Sequence, residues 1–400
     1  MISDGSGRYL HGLRRPLRII VTGGGTGGHT YPALTALRTL NTALTGEGLP
    51  PADMLWAGEA ASLESQVAAS EGIAFRAVAT GKIRRARNPL KMLSFANISD
   101  MGRVPLGVVQ ARGIVAAFRP DVVLATGGYV SVPVGLAARM CRRPLVVHEQ
   151  TVRLGLTNRM LACVATRVAV SSESTLPLLP RSARKAAVVT GNPVRPELLA
   201  GDPRRAVAAL GLQGFNLSLP TVYITGGAQG SQQINALVTG ILPWLLSQAN
   251  VVHQCGPANL DDLRAQLARM PLVANHAGRY LLTPYVTAEL PDVLALADVV
   301  ISRSGAGTIA ELTALGKAAT LVPLASSAGN EQVHNARHLE EIGAAIALVG
   351  DVSPDRLRAA IAPLLADASR RAEMANQAQA HGRPEAAARL VEVILAAAAT

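Results

Sequence analysis

Short runs of aliphatic and β-branched residues recur along this chain, each followed by a longer Ala- and Leu-rich segment with helical spacing. In the first half the runs fall at 17–21, 54–57, 121–125, 145–148 and 168–170. In the second they fall at 221–225, 251–253, 299–302, 319–322 and 345–349. They are apolar throughout rather than alternating, which predicts strands buried on both faces. Strands that alternate with helices predict βαβ units and parallel sheets, an α/β class.

The two halves open alike. The run at 18–21 passes into Thr22-Gly23-Gly24-Gly25-Thr26-Gly27-Gly28-His29. The run at 222–224 passes into Thr225-Gly226-Gly227-Ala228-Gln229-Gly230-Ser231. The pattern predicts one doubly wound architecture used twice, changing over near Gly191-Asn192-Pro193-Val194-Arg195. Ligands of such sheets bind beyond the carboxyl ends of the strands, so two facing halves are expected to make one cleft. Ser353 and Pro354 predict a helix start, as cap and first position. A break at His381-Gly382-Arg383-Pro384 precedes a final amphipathic helix carrying Ala387, Leu390, Val391 and Ile394. The expected division is a tail at 1–16, a first domain at 17–190 joined by 385–400, and a second domain at 191–384.

Two uncharged stretches fail as membrane spans. The one at 122–138 contains Gly127, Gly128, Pro133 and Gly135, and fits strand, turn and helix better. The one at 206–260 is interrupted by Pro220, Pro243 and Pro257. Residues 1–16 carry charges and no apolar core, unlike a signal peptide.

Composition narrows the classes further. With 400 residues, 49% apolar and 16% charged, the chain is globular with room for two or three cores. Aromatics are only 3%, which argues against a stacking platform for single-stranded nucleic acid, and no nucleic-acid partner is expected. Cys141, Cys163 and Cys255 form no CxxC pair, so a reducing cytoplasm is the default. The charge is uneven. Residues 1–190 hold 23 Lys and Arg against 10 Asp and Glu, and the remainder holds 15 against 17. A basic first half attracts phosphate or an anionic surface.

Candidate chemistry gathers at strand ends. Gly23, Gly25 and Gly28 fit G-x-G-x-x-G between a strand and a helix, where backbone can approach a phosphate. A nicotinamide site would want an acidic residue about 20 positions on, and Glu59 is badly placed for it. His29 reads either as a packing histidine or as a general base. Thr126-Gly127-Gly128-Tyr129 is a further glycine turn, and His148-Glu149-Gln150 closes a buried strand where active-site groups collect. In the second half, Ser302-Arg303-Ser304-Gly305-Ala306-Gly307-Thr308 opens a helix whose first amides suit a diphosphate. Glu311, one turn in, reads as a ribose ligand or as a carboxylate favoured by the helix dipole. No Asp-x-Asp pair and no His/Glu cluster has metal spacing, so neither metal nor cofactor is required.

Together these segments resemble the MurG family of glycosyltransferases. The residues that carry the resemblance are GGGTGGHxxP from Gly23, GGYVSxP from Gly127, VHEQ from Val147 and GLTNR from Gly155. GNPVR from Gly191, GGAQGS from Gly226, SRSGAGTxAEL from Ser302 and EQxxNA from Glu331 complete the set, in order. The resemblance spans about 17–395. It implies the two-domain GT-B fold and inverting transfer of N-acetylglucosamine from UDP-N-acetylglucosamine to lipid I, a polyprenyl-diphosphate, giving lipid II of peptidoglycan. It implies that Thr26, Gly27 and Gly28 meet the sugar and acceptor diphosphate, and that Arg195, Ala306, Gly307 and Thr308 hold the donor diphosphate. Val286 would meet the uracil, Glu311 the ribose and Gln332 the sugar hydroxyls. Thr151 and Ala228 stand where the family often has Asn and Ser. Inversion needs a base for the acceptor hydroxyl, for which His29 is the first candidate and Glu149 the second. A transferase acting on another lipid or a secondary metabolite, or a UDP-sugar epimerase of similar fold, remains as an alternative.

The segment 81–106 mixes six bases, among them Arg84, Arg85 and Arg87, with large apolar residues such as Phe95 and one acid, Asp100. That mixture predicts an amphipathic surface lying on the anionic, cytoplasmic face of the cell membrane as a peripheral contact.

Overall fold

A computed structural model describes residues 15–81, 95–216, 218–270 and 277–400. The chain forms two compact units: Met1–Pro193 with Glu385–Thr400, and Val194–Pro384. Each is built on a parallel sheet.

The first unit holds β1 (Arg18–Gly23), β2 (Asp53–Gly58), β3 (Ala74–Ala77), β4 (Val122–Gly127), β5 (Leu145–Glu149), β6 (Arg167–Val170) and β7 (Ala187–Val189), in the order β3-β2-β1-β4-β5-β6-β7. In β1, Ile19 and Val21 enter a core with Leu37 and Leu40 of the helix Gly27–Gly46, while Ile20 enters a second core with Val123 and Val147. Both faces are thus covered, which explains why the run is apolar at every position. The helix Ala386–Ala398 belongs to this unit, with Leu390, Val391 and Ile394 fully buried beside Ile19 and Leu124.

The second unit holds β8 (Thr221–Thr225), β9 (Asn250–Gln254), β10 (Tyr280–Thr283), β11 (Val299–Ser302), β12 (Ala318–Leu321) and β13 (Ile346–Ala347), in the order β10-β9-β8-β11-β12-β13. Ser353 caps the helix Pro354–Ala366 by accepting from the Arg356 amide, with Pro354 at the first position, as its sequence predicts.

Three strands escape the apolar-run reading: β3, β7 and β10. All are edge strands, and their residues are half-buried or exposed. With one neighbour instead of two, such strands need no continuous apolar run. Among the described residues no helix is long and apolar enough to cross a membrane. The stretch at 122–138 is β4 followed by the helix Ser131–Met140.

In each sheet the strand order reverses once, between β1 and β4 and between β8 and β11. The loops after these four strands contain the glycine segments 23–28, 127–129, 226–231 and 303–308. Chain topology therefore puts all four at the switch points where ligands of such sheets bind.

Candidate functional site

In the first unit two glycine loops touch through backbone. A Cβ on Gly128, which sits at φ +80°, would lie 2.4 Å from the Gly24 carbonyl oxygen. No side chain fits there. The loop is tethered from below by Glu64, fully buried, whose carboxylate accepts from the amides of Gly25 (3.2 Å) and Glu59 (3.2 Å). Tyr129 donates to Glu59 at 2.5 Å, closing the ring of loops. Thr26 is the N-cap of Gly27–Gly46, extended and without a side-chain cap bond. Amides at such a start have no carbonyl within the helix to reach, so Gly27 and Gly28 present donors suited to an anion.

His29 lies on the first turn of that helix. Its Nδ1 is 3.0 Å from Gln150 Oε1. Gln150 Nε2 donates to the His148 carbonyl (2.9 Å) and to His148 Nδ1 (3.1 Å), and His148 Nε2 faces the Gly191 carbonyl at 3.0 Å. His148 is completely buried, and burial pushes its pKa down to about 4 against the opposing pull of the Gly191 carbonyl. Gly127, at φ +107°, makes room for the His29 ring: a Cβ there would stand 3.0 Å from His29 Cε1 and Nδ1. Thr126 donates to the His29 carbonyl at 2.9 Å.

Glu149 is buried and its two oxygens are taken up locally. Oε1 accepts from the amide (3.1 Å) and hydroxyl (3.0 Å) of Thr151, and Oε2 from the Gly155 amide (2.8 Å) and Asn158 Nδ2 (3.0 Å). The carboxylate therefore fastens the loop between β5 and the helix Leu156–Ala162. Thr151 is engaged in the same knot.

In the second unit the helix Ala306–Ala314 starts after Gly305, which offers no side-chain cap. The first amides, on Ala306, Gly307 and Thr308, again lie open to an anion. Glu311, one turn along, accepts from Arg195 Nε (3.1 Å) and Nη2 (2.9 Å). Burial pushes the Glu311 carboxyl above its usual range, and the Arg195 charge pulls it back. The sequence assigned these two residues to different parts of one ligand, and the structure brings them into an ion pair.

Arg303 binds the loops together. Its guanidinium donates to Ser231 Oγ (2.7 Å), Gln233 Oε1 (2.8 Å) and the Val322 carbonyl (2.9 Å). Gln332 accepts from the Leu324 amide through Oε1 at 2.9 Å, which turns its NH2 group away from that bond as a donor. Ala228 is exposed in the loop after β8. Val286 is buried, and its amide already donates to Gln254 Oε1 at 3.0 Å, so that amide is committed inside the unit.

A second buried histidine network sits at the end of β9. His253 Nε2 meets Asn235 Oδ1 at 3.1 Å and Nδ1 meets the Tyr280 hydroxyl at 3.0 Å, while Asn235 Nδ2 donates to the Cys255 carbonyl. Burial brings the His253 pKa to about 4.

Arg84, Arg85 and Arg87 lie outside the described residues, as does the tail at 1–14. Phe95 opens the helix Phe95–Phe118, of which only the backbone is described at that end. Among the described residues no group of His, Cys, Asp or Glu could hold a metal ion. Glu64, Gln254 and Arg303 went unassigned from sequence. Arg303 could have been found from its place inside a glycine motif. Glu64 carries only the ordinary signal of an acid in the first turn of a helix.

Residues 19–170 match the glycosyltransferase family 28 N-terminal domain, and residues 221–390 match the glycosyltransferase family 28 C-terminal domain. The chain is 34% identical to the UDP-N-acetylglucosamine–N-acetylmuramyl-(pentapeptide) pyrophosphoryl-undecaprenol N-acetylglucosamine transferase of Listeria monocytogenes, covering 95% of this chain and 99% of that one. It resembles the crystal structure of Acinetobacter baumannii MurG with a TM-score of 0.71 and 26% identity, over 95% of this chain and 99% of that one. The UDP-GlcNAc 2-epimerase of Neisseria meningitidis, bound to UDP-GlcNAc, shares the fold at a TM-score of 0.61 and 15% identity, over 96% of this chain and all of that one.

Proposed function

Because this chain belongs to glycosyltransferase family 28 and has its GT-B fold, we propose that it transfers N-acetylglucosamine from UDP-N-acetylglucosamine to lipid I, giving lipid II for peptidoglycan. The observation that carries the reading is the match along nearly the whole length of the Listeria transferase. The two bare helix starts and the His29 ring give that reading its chemistry.

In this reading the second unit takes the donor and the first takes the acceptor. His29 Nε2 accepts the proton of the acceptor hydroxyl as that oxygen bonds to the anomeric carbon from the face opposite the diphosphate. The bond from that carbon to the diphosphate breaks, and UDP leaves with the electron pair. Arg195 and the amides of Ala306, Gly307 and Thr308 receive the developing charge. Glu311 holds the ribose, Val286 lines the uracil pocket and Gln332 donates to the sugar. Glu149 positions the loop through Thr151 rather than moving the proton.

The test is UDP release from UDP-N-acetylglucosamine with and without a lipid I analogue. Release that requires the analogue supports the reading. Conversion of the donor to its 2-epimer without acceptor overturns it in favour of an epimerase.

Donor binding is expected to weaken by about 1–3 kcal/mol in Glu311→Ala, since a buried hydrogen bond is lost. Because Glu311 and Arg195 are paired, the effects of Glu311→Ala and Arg195→Ala are expected to be non-additive by calorimetry. Unchanged affinity in both variants would move the donor site elsewhere.

The acceptor is a membrane lipid, so the first unit is proposed to lie on the anionic bilayer at the cytoplasmic face. Leu106 and Val109, three residues apart on Phe95–Phe118, are 53% and 69% exposed and supply apolar surface that follows the basic residues in the sequence. Binding to anionic vesicles is expected to fall with salt and to drop when Arg84, Arg85 and Arg87 are neutralised together, at about 1 kcal/mol per charge. Equal binding to neutral vesicles would count against this surface.

A further inference from the structure

His29 is tied to two backbone carbonyls by a chain in which every proton position is forced. A carbonyl only accepts. The Gly191 carbonyl 3.0 Å from His148 Nε2 therefore requires hydrogen on that nitrogen. A buried His148 with its pKa near 4 is neutral at physiological pH, so its Nδ1 carries the lone pair. The His148 carbonyl, 2.9 Å from Gln150 Nε2, requires the amide NH2 to face it, and the second hydrogen of that group reaches His148 Nδ1 at 3.1 Å. The amide cannot flip without putting oxygen against two acceptors. Gln150 Oε1 is then the atom that faces His29 Nδ1 at 3.0 Å, and it too only accepts.

We infer that Gln150 and His148 are positioning residues that hold His29 in the Nδ1–H tautomer, so that Nε2 carries the lone pair that receives the acceptor proton. Imidazole is otherwise free to exchange between its two neutral forms, and the hydrogen bond on one ring nitrogen decides the chemistry of the other. The inference rests on the assignment of His29 as base, and deepens it: the base depends on a residue 121 positions away along the chain, and through it on the Gly191 carbonyl. The ring itself is held by Gly127, which leaves space for it, and by the Thr126 bond to its own carbonyl. The titratable groups on the strand end that carries Gln150 are His148, neutral, and Glu149, whose oxygens are spent on Thr151, Gly155 and Asn158.

Nitrogen-15 NMR of histidine-labelled protein reads the tautomer directly, without turnover. In the unmodified protein near neutral pH, His29 is expected to be protonated on Nδ1 and His148 on Nε2. Gln150→Leu removes the acceptor; His29 is expected to shift toward the Nε2–H form, and kcat to fall tenfold or more with the KM for UDP-N-acetylglucosamine little changed. Gln150→Glu keeps an acceptor for Nδ1–H, while its second oxygen, which would face the His148 carbonyl and the His148 Nδ1 lone pair, needs a proton of its own. His29 is expected to stay protonated on Nδ1 and kcat to fall less than in Gln150→Leu. An Nε2–H tautomer for His29 in the unmodified protein would overturn the inference without any variant. So would a Gln150→Leu protein that folds and keeps both tautomer and kcat. If the tautomer is as stated but His29→Ala retains turnover, the assignment of His29 as base fails and the tautomer chain stands.

Discussion

His29→Ala is expected to lower turnover by about 10²- to 10⁴-fold while leaving the affinity for UDP-N-acetylglucosamine nearly untouched, the range that one positioned general base supplies. The reason for the split lies in the fold. His29 stands on the first glycine loop of one unit, bonded to Gln150, whereas Arg195, Glu311 and the bare helix start lie in the other. Removing the ring leaves the donor contacts intact. Glu149→Gln supplies the control. Its carboxylate accepts four hydrogen bonds from Thr151, Gly155 and Asn158. An amide in its place retains only part of that acceptance, and the expected loss is of stability in the 151–155 loop rather than of proton transfer. Single-turnover kinetics with a lipid I analogue, paired with donor calorimetry, check both. Turnover that survives in His29→Ala but collapses in Glu149→Gln would reverse the roles.

Both units are expected to lose stability on mild acidification, before most carboxylates titrate. His148 in the first and His253 in the second have their pKa lowered from 6.5 to about 4, in each case chiefly by burial. A histidine that stays neutral in the fold binds fewer protons than its unfolded counterpart. Stability is therefore complete above pH 6.5 and is lost as pH falls toward 4, by about 3 kcal/mol for each ring. Native-state hydrogen exchange at several pH values between 7.5 and 4.5 follows each unit separately, which matters because a two-unit chain has no single unfolding free energy. His148→Gln is expected to flatten the dependence in the first unit alone, and His253→Gln in the second alone. An unaltered slope in the corresponding unit would assign the acid sensitivity to other groups.

The parallel sheets were legible because each central strand buries both faces: Ile19, Ile20 and Val21 enter two different cores, and so must all be apolar. Edge strands β3, β7 and β10 were not, because one open side removes that requirement. The sequence also located His29, His148, Glu149, Gln150 and Glu311 at strand and helix ends. It could not reveal which of them meet. The partner of His148 is a carbonyl 43 residues away, and carbonyls leave no mark in a sequence. The Arg195–Glu311 pair spans 116 residues. Glu64 is the sharpest case: its burial beneath the first glycine loop follows from the packing of β2 and the helix Leu63–Ser70, and an acid at that position is as common on a solvated helix.

The membership of the helix Ala386–Ala398 in the first unit sets an order of events during synthesis. The sheet β1–β7 is complete when residue 189 has been made, yet the side of its core that receives Leu390, Val391 and Ile394 stays uncovered until all of Val194–Pro384 has been translated. At about 5–20 residues per second that interval lasts on the order of 10–40 s. The second unit is continuous in the chain and is able to close first. During the wait Ile19, Leu37 and Leu124 of the first unit lack the apolar cover that Leu390, Val391 and Ile394 supply in the finished fold.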